Sequence, residues 1–149
     1  MWKTIIITTL IAGTLDIIAA CTNAYLTAQT PPDIILKYIA SGVFGTSAFS
    51  GGITMILFGL FFHFIIVFAC TVSFFWLYEK LPFLKQNILL NAVLIGAVAW
   101  FVTNVIIIPL SKISNSTFDF NSALIAVCIL FVCVGLPVAY MAKRYYQFK

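Results

Sequence analysis

The sequence predicts an all-α membrane protein, an antiparallel four-helix transmembrane bundle formed by a single domain, residues 1–149. The chain is 63% hydrophobic and only 8% charged, whereas soluble proteins carry about 25% charged residues. Its mean hydropathy is +1.14. Four apolar runs are each long enough to cross about 30 Å of hydrocarbon as a helix, which takes about 20 residues. The runs lack an alternation of period two, so helices are expected to satisfy the backbone in lipid.

The predicted spans are Thr4–Ala28, Ile53–Tyr78, Asn87–Leu110 and Ser122–Ala142. The first span starts like a lipoprotein signal, with a basic start, an apolar core and small residues before Cys21. Asp16 interrupts that apolar core, so we expect the segment to be retained. Pro82 is expected to end the second helix.

The connector between the first two spans is predicted to contain a short helix and a Gly-rich external loop. Thr30 is the expected N-cap and Pro31 the first helical residue. Apolar residues then recur at helical spacing, which is typical of a helix lying in the membrane interface. After Ser41 the glycines permit sharp turns. A re-entrant loop and a plain connector are both compatible with this composition.

The distribution of basic residues predicts the orientation. One side of the membrane would carry Lys3, Lys80, Lys85, Lys143, Arg144 and Lys149, and the other would carry Lys37 and Lys112. Because Lys and Arg concentrate in cytoplasmic loops, both termini are expected in the cytoplasm. The basic residues are scattered along the chain and form no patch for nucleic acid, so the net charge of +4 reflects topology.

Polar groups from three spans fall at similar depth. Asp16 lies about 18 Å from the cytoplasmic end of its span, and His63 about 22 Å, at a rise of about 1.5 Å per residue. Thr103 and Asn104 lie about 24–26 Å from the cytoplasmic end of their span, calculated with the same rise. Small and polar residues lie on the same helix faces as these side chains, which favours an orientation of those faces toward the interior of the bundle. Asn91 lies nearer the cytoplasmic end and on another face, and Tyr38 is interpreted as an interface aromatic.

The cost of burial makes Asp16 and His63 the central candidates. An ionised Asp at the bilayer centre costs about 2.5–3.5 kcal/mol, so Asp16 must be protonated, paired or in contact with water. Two such neighbours are expected to share one proton. The predicted ligand- or proton-binding residues are Asp16, His63, Asn104, Thr103 and Trp100, with Phe49, Ser50, Gly51 and Gly52 as an external lid or access loop. The alternative is that the same residues only lock the helices together.

Other chemistries find little support. The cysteines form no C-x-x-C pair and no metal-type spacing, so neither a metal nor another cofactor is expected. The sequence shows no activated nucleophile and no phosphate loop, and therefore no catalytic residue is assigned and an enzyme is the least favoured class. Trp100 and the phenylalanines could line a pocket for a quinone or another lipid-soluble ligand, although aromatic stripes usually serve packing.

Several segments carry a family resemblance: GTLDIIAA, IASGVFGTSAFSGG, GLFFHF, KLPFL, NVIIIPLS and VGLPVAYMAKR. In this order they resemble small, uncharacterised four-helix proteins of the bacterial inner membrane and, more distantly, the YagU-like proteins. The resemblance covers nearly the whole chain. It implies a bacterial inner-membrane protein and a shared pattern that includes the Gly-rich loop, Asp16, His63, Asn104 and Pro109. It supplies no substrate.

Two function classes follow. The first is a membrane protein that binds a small ligand or a proton at the mid-membrane polar site. The second is a structural or interaction subunit in which the polar residues lock helix packing. Four helices enclose a narrow pore at best, so transport would require a homo-oligomer. The lipid bilayer is the expected partner in either case.

Overall fold

The computed structural model describes residues 1–107 and 120–148, and within them the chain is helical without strands. The α-helices of the described ranges are α1 (Trp2–Ala28), α2 (Pro32–Phe44), α3 (Gly52–Lys80), α4 (Ile88–Phe101), α5 (Phe120–Leu130) and α6 (Leu136–Gln147). Short 3₁₀ segments, Gly45–Ser50 and Pro82–Lys85, precede α3 and α4. A π-helical segment, Val102–Ile107, continues α4, and a second, Phe131–Gly135, joins α5 to α6.

Among the described residues, three helices are long and apolar enough to cross a membrane. They are α1, α3 and the continuous stretch Ala123–Gln147, and a shorter apolar helix covers Ile88–Asn104. The helical, apolar character predicted for the four spans is therefore confirmed over the described residues. The predicted end of the third span, Leu110, and most of the polar connector after it lie outside those residues.

Contacts between the helices place both chain termini at one end of the bundle. Ile5 near the start of α1 and Ala142 near the end of α6 belong to one buried cluster. The Tyr146 hydroxyl group donates a hydrogen bond to the Phe75 carbonyl oxygen at 3.0 Å, and it lies 3.4 Å from a Glu79 carboxylate oxygen. We call this the terminal end; α2 marks the opposite, α2 end.

The buried core occupies the half of the bundle nearer the terminal end. Its members come from both ends of the sequence and from the middle: Ile5, Ala12, Val67, Phe74, Phe75, Tyr78, Leu84, Ala92, Ile95, Val134, Val138, Ala139 and Ala142. Elsewhere α1, α3 and α4 expose many large apolar side chains. Apolar residues on the outside suit helices that face lipid.

Glycines bring pairs of helices into close contact. A Cβ atom at Gly59 of α3 would collide with the Leu36 carbonyl group of α2. A Cβ atom at Gly135 would collide with the Ala92 carbonyl group of α4. Both neighbours are backbone atoms, which cannot move aside as a side chain can. These two positions therefore fix how closely α2 approaches α3 and how closely α4 approaches the last span.

The predicted start of the interfacial helix is wrong by one residue. Pro31, with φ −68° and ψ 152°, is the N-cap, and Pro32 is the first helical residue, whereas Thr30 lies outside the helix. The physical reason is that a residue followed by proline is excluded from the α region and becomes extended. Lys37 then pairs with Asp33 one turn earlier, at 3.4 Å.

The Gly-rich stretch after α2 is a 3₁₀ segment bounded by two glycines with positive φ. Gly45 has φ 67° and Gly52 has φ 60°. Residues with side chains rarely adopt such angles, so these two glycines allow the chain to leave α2 and to enter α3.

Candidate functional site

A cavity of about 530 Å³ occupies the half of the bundle nearer the α2 end. Helices α1 to α5 all contribute to its wall, together with the two π-helical segments. The five residues predicted to bind a ligand or proton all line it: Asp16, His63, Trp100, Thr103 and Asn104. Most of the remaining wall consists of Ala, Val, Ile, Leu and Phe side chains.

His63 is held by the backbone of α1. Its Nε2 atom lies 2.9 Å from the carbonyl oxygen of Gly13, and the side chain is almost fully buried. Because a carbonyl oxygen only accepts hydrogen bonds, Nε2 carries a hydrogen and donates it. In the neutral ring the other nitrogen, Nδ1, is then an acceptor. This hydrogen bond explains how an imidazole is accommodated among phenylalanines.

Gly13 makes this approach possible. A Cβ atom at Gly13 would lie 2.6 Å from the Phe64 ring, which packs directly against α1 at this point. Phe64 also lies edge-on to the His63 ring, with 5.4 Å between the ring centroids. The absence of a side chain at Gly13 therefore lets two consecutive residues of α3 reach the backbone of α1.

Asp16 faces the free side of the His63 ring. Its Oδ2 atom lies 4.0 Å from His63 Nδ1, which is longer than a hydrogen bond of about 2.7–3.2 Å. Within residues 1–107 and 120–148, no donor lies within hydrogen-bond distance of the Asp16 carboxyl group. Both side chains border the cavity, so a polar atom placed there could bond to the carboxyl group and to Nδ1.

The polar residues of α4 reach the cavity through its π-helical continuation. Asn104 donates from Nδ2 to the Trp100 carbonyl oxygen one turn earlier at 3.0 Å. Thr103 and Asn104 belong to Val102–Ile107, where the helix widens. π-helical turns are rare and occur frequently at functional sites. The widened turn places both residues on the cavity wall.

Further lining residues were not assigned to the site from the sequence. Asn23 lies seven positions after Asp16 and extends the polar side of the cavity along α1. Cys70 occupies the equivalent position seven after His63 on α3. The sequence signal that could have identified both residues is this spacing of seven, which places side chains on the same face of a helix two turns apart. Tyr38, interpreted as an interface aromatic, also lines the cavity, because α2 packs across α3 and does not lie apart from the bundle.

The predicted lid is not part of the cavity wall. Phe49, Ser50, Gly51 and Gly52 do not line the cavity, and the wall on this side is formed by residues 38–43 of α2. Asn91 lies elsewhere: it is buried and donates to the Leu84 carbonyl oxygen, which ties α4 to the preceding connector.

The donor set favours protons and hydrogen bonds over metals. Among the described residues no group of three His, Cys, Asp or Glu side chains could hold a metal ion. The described cavity wall contains neither Lys nor Arg. One carboxyl group and one imidazole can therefore hold a proton or bind a neutral polar group, with Cys70 and Tyr38 on the same wall.

Comparison of the chain with protein-family models, with curated proteins and with solved structures found no match. The resemblance to small bacterial membrane proteins accordingly stays a prediction from the sequence.

Proposed function

We propose that this chain is a multi-pass protein of a bacterial inner membrane that binds a small ligand together with a proton at Asp16 and His63. The basic residues of the sequence support an orientation with both termini in the cytoplasm. On this topology the two side chains lie near the middle of the membrane, where an ionised and unpaired Asp would cost about 2.5–3.5 kcal/mol.

The observation that carries the proposal is the separation of 4.0 Å between Asp16 Oδ2 and His63 Nδ1 beside a cavity. Each group is placed to bond with a third partner, and the fixed hydrogen on Nε2 leaves Nδ1 as the acceptor. A proton shared between carboxyl group and imidazole, or a ligand hydroxyl group that donates to Nδ1 and accepts from protonated Asp16, would satisfy both. A ligand carbonyl group, which only accepts, would bond to protonated Asp16 alone. Titration of the site then belongs to the pair.

Infrared spectroscopy of the protein in lipid tests the proton-binding part. A protonated carboxyl group in an apolar site has its own C=O absorption band, separate from the carboxylate bands. We expect one such band to change with pH in the wild type and to be absent from Asp16→Asn. The matched control is Asp33→Asn on α2, whose carboxyl group pairs with Lys37 and whose loss should leave that band unchanged.

The pH response should also depend on His63. In His63→Gln the amide can still donate to the Gly13 carbonyl oxygen, but the titrating partner is lost. The Asp16 band should therefore persist with a shifted pH midpoint. A band that is identical in wild type and Asp16→Asn would refute proton binding at this site.

A second function is favoured by one contact. The His63–Gly13 hydrogen bond joins α1 to α3 in the interior, as expected for a structural subunit whose polar residues lock the bundle. Interhelical hydrogen bonds of this kind contribute about 0.6 kcal/mol on average. In that case loss of Asp16 and His63 would reduce stability cooperatively, without a separate effect on proton or ligand binding.

A further inference from the structure

The cavity lies where α3 and α4 separate. A short connector, residues 81–87, joins these helices at the terminal end. Over their described lengths α3 and α4 nevertheless make few contacts with each other, and α4 packs on α5, Phe131–Gly135 and α6. The cavity wall includes α3 residues near His63 and α4 residues near Trp100. Toward the α2 end, the gap between α3 and α4 therefore forms part of the cavity.

The mouth of the cavity is apolar. Of its described lining residues, only Val43 and Ile65 are strongly exposed, at 52% and 46%. Next to Ile65, α3 also exposes Phe61 and Phe68. In a bundle that spans a membrane, such a surface contacts acyl chains. A molecule entering past Val43 and Ile65 would thus come from the lipid and not from water.

The wall specifies the chemistry of the occupant. Without Lys or Arg in its described part, the wall offers no counter-charge for a phosphate or carboxylate. The aromatic side chains of Tyr38, Phe62 and Trp100 can pack against a flat ring. Asp16 and His63 provide hydrogen bonds at one place in this apolar wall. The volume falls within about 300–1,000 Å³, the usual range for sites that bind drug-sized ligands.

We infer that the ligand is a neutral, lipid-soluble ring compound with carbonyl or hydroxyl groups, of the quinone or phenol type. It enters from the bilayer past Val43 of α2 and Ile65 of α3. A carbonyl group of the ligand accepts a hydrogen bond from protonated Asp16, and a hydroxyl group can also donate to Nδ1 of His63. This inference rests on the proposed function and names the ligand class of the same site. It concerns binding alone and involves no electron transfer.

Trp100 provides the signal for a direct test, because quinones quench tryptophan fluorescence on contact. The other tryptophans, Trp2 and Trp76, are 59% and 57% exposed and do not line the cavity. The full chain with Trp2→Phe and Trp76→Phe is placed in nanodiscs of phosphatidylethanolamine and phosphatidylglycerol and titrated with decylubiquinone. We expect quenching that saturates. A matched protein that keeps only Trp76 should show quenching that rises linearly with the quinone content of the bilayer.

Substitutions in the cavity provide the specificity control. Ala126→Phe fills the cavity from α5 and should weaken decylubiquinone binding at least tenfold, or about 1.4 kcal/mol. Asp16→Leu keeps a similar volume but removes the group that donates to the quinone carbonyl, and it should also weaken binding. Ala97→Phe adds the same ring to the exposed face of α4, outside the cavity, and should leave binding unchanged. Helix content measured by circular dichroism identifies any variant that fails to fold.

Linear quenching in the protein that keeps only Trp100 would overturn the inference. So would equal binding of a sulfonated, membrane-impermeant quinone, because access would then be from water. If decylubiquinone fails to bind while the Asp16 infrared band still responds to pH, the ligand class is wrong and the proton site stands. If that band is missing as well, the proposed function fails with it.

Discussion

At the residue scale, His63 and Asp16 have different degrees of hydrogen bonding. His63 donates to a backbone carbonyl oxygen at 2.9 Å, whereas the structure gives Asp16 no donor within its described residues. The ring is thus a fixed part of the α1–α3 contact. The partly exposed carboxyl group borders the cavity, and in an apolar surrounding its ionised form is costly unless another molecule or a proton satisfies it.

A double-mutant cycle in mild detergent tests this difference. His63→Ala removes the hydrogen bond to the Gly13 carbonyl oxygen, which keeps its own bond within α1, and should reduce the free energy of unfolding by about 0.5–1.5 kcal/mol. Asp16→Asn should be neutral or stabilising, because it removes a group whose ionised form costs about 2.5–3.5 kcal/mol in a membrane.

The opposite pattern would favour the structural alternative. If both single substitutions destabilise strongly and the double variant is far less than additive, Asp16 and His63 form a lock between α1 and α3. Thr22→Val is a suitable control on α1, since the exposed Thr22 hydroxyl group donates to the Ile18 carbonyl oxygen of its own helix.

Residue type and helical rise together predict much of the site but not all of it. Asp16, His63 and Asn104 were placed at one depth from the sequence, and all three line one cavity. The acceptor of the His63 hydrogen bond could not be predicted, because a backbone carbonyl group is present at every position. Depth and helix face together set Asn91 apart from the site, and it is buried outside the cavity wall, where it donates to the Leu84 carbonyl oxygen of the connector.

At the element scale, close contact between helices depends on individual glycines. Gly59 of α3 meets the Leu36 carbonyl group of α2, whereas Gly13 of α1 meets only the ring of Phe64. An added methyl group at Gly59 would push against backbone that is part of a helix. At Gly13 it would push against a side chain that can rotate.

The two glycines form a matched pair for mutagenesis. Gly59→Ala should lower the free energy of unfolding by about 1–3 kcal/mol, the usual cost of overpacking. Gly13→Ala should change it by less than about 1 kcal/mol, since the higher helix propensity of Ala offsets part of the strain. Thermal unfolding in detergent measures both. Equal losses would show that the α2–α3 contact is not set by Gly59.

Helix positions were predictable to within a few residues where hydrophobicity defines them. The predicted span Ile53–Tyr78 corresponds to α3, Gly52–Lys80. Two local features, the N-cap of α2 and the π-helical segments, were not predicted. The N-cap of α2 is Pro31 and not the predicted Thr30, because the proline that follows Pro31 keeps it extended. The π-helical segments carry no residue signature, since widening of a turn depends on the neighbouring helices.

At the scale of the whole molecule, the bundle has a packed half and a hollow half. The core lies toward the terminal end and the cavity toward the α2 end. Hydrophobicity predicts how many helices form but not how they diverge, because the separation of α3 from α4 depends on their contacts with α1 and the last span. The cavity was therefore predictable as a cluster of polar residues and not as a volume.

The orientation in the membrane can be tested on intact spheroplasts. In a variant without native cysteines, Gln147→Cys near the C-terminus should not react with a membrane-impermeant maleimide, whereas Gln29→Cys after α1 should. Both positions are exposed. The reason is the excess of Lys and Arg on the side of the termini. Labelling of Gln147→Cys alone would reverse the predicted topology.

The π-helical segment Phe131–Gly135 has a consequence for how this chain tolerates change in length. A π turn within an α-helix is equivalent to one inserted residue, and one residue corresponds to about 100° of rotation. Deleting one residue there would restore regular α-helical turns without rotating α5 relative to α6, because the wide turn already holds the extra residue. The contact of Gly135 with Ala92 and the place of Leu130 on the cavity wall would then both be kept. A one-residue deletion should therefore be tolerated in this segment, whereas the same deletion elsewhere in the span would turn one part of the helix by about 100°.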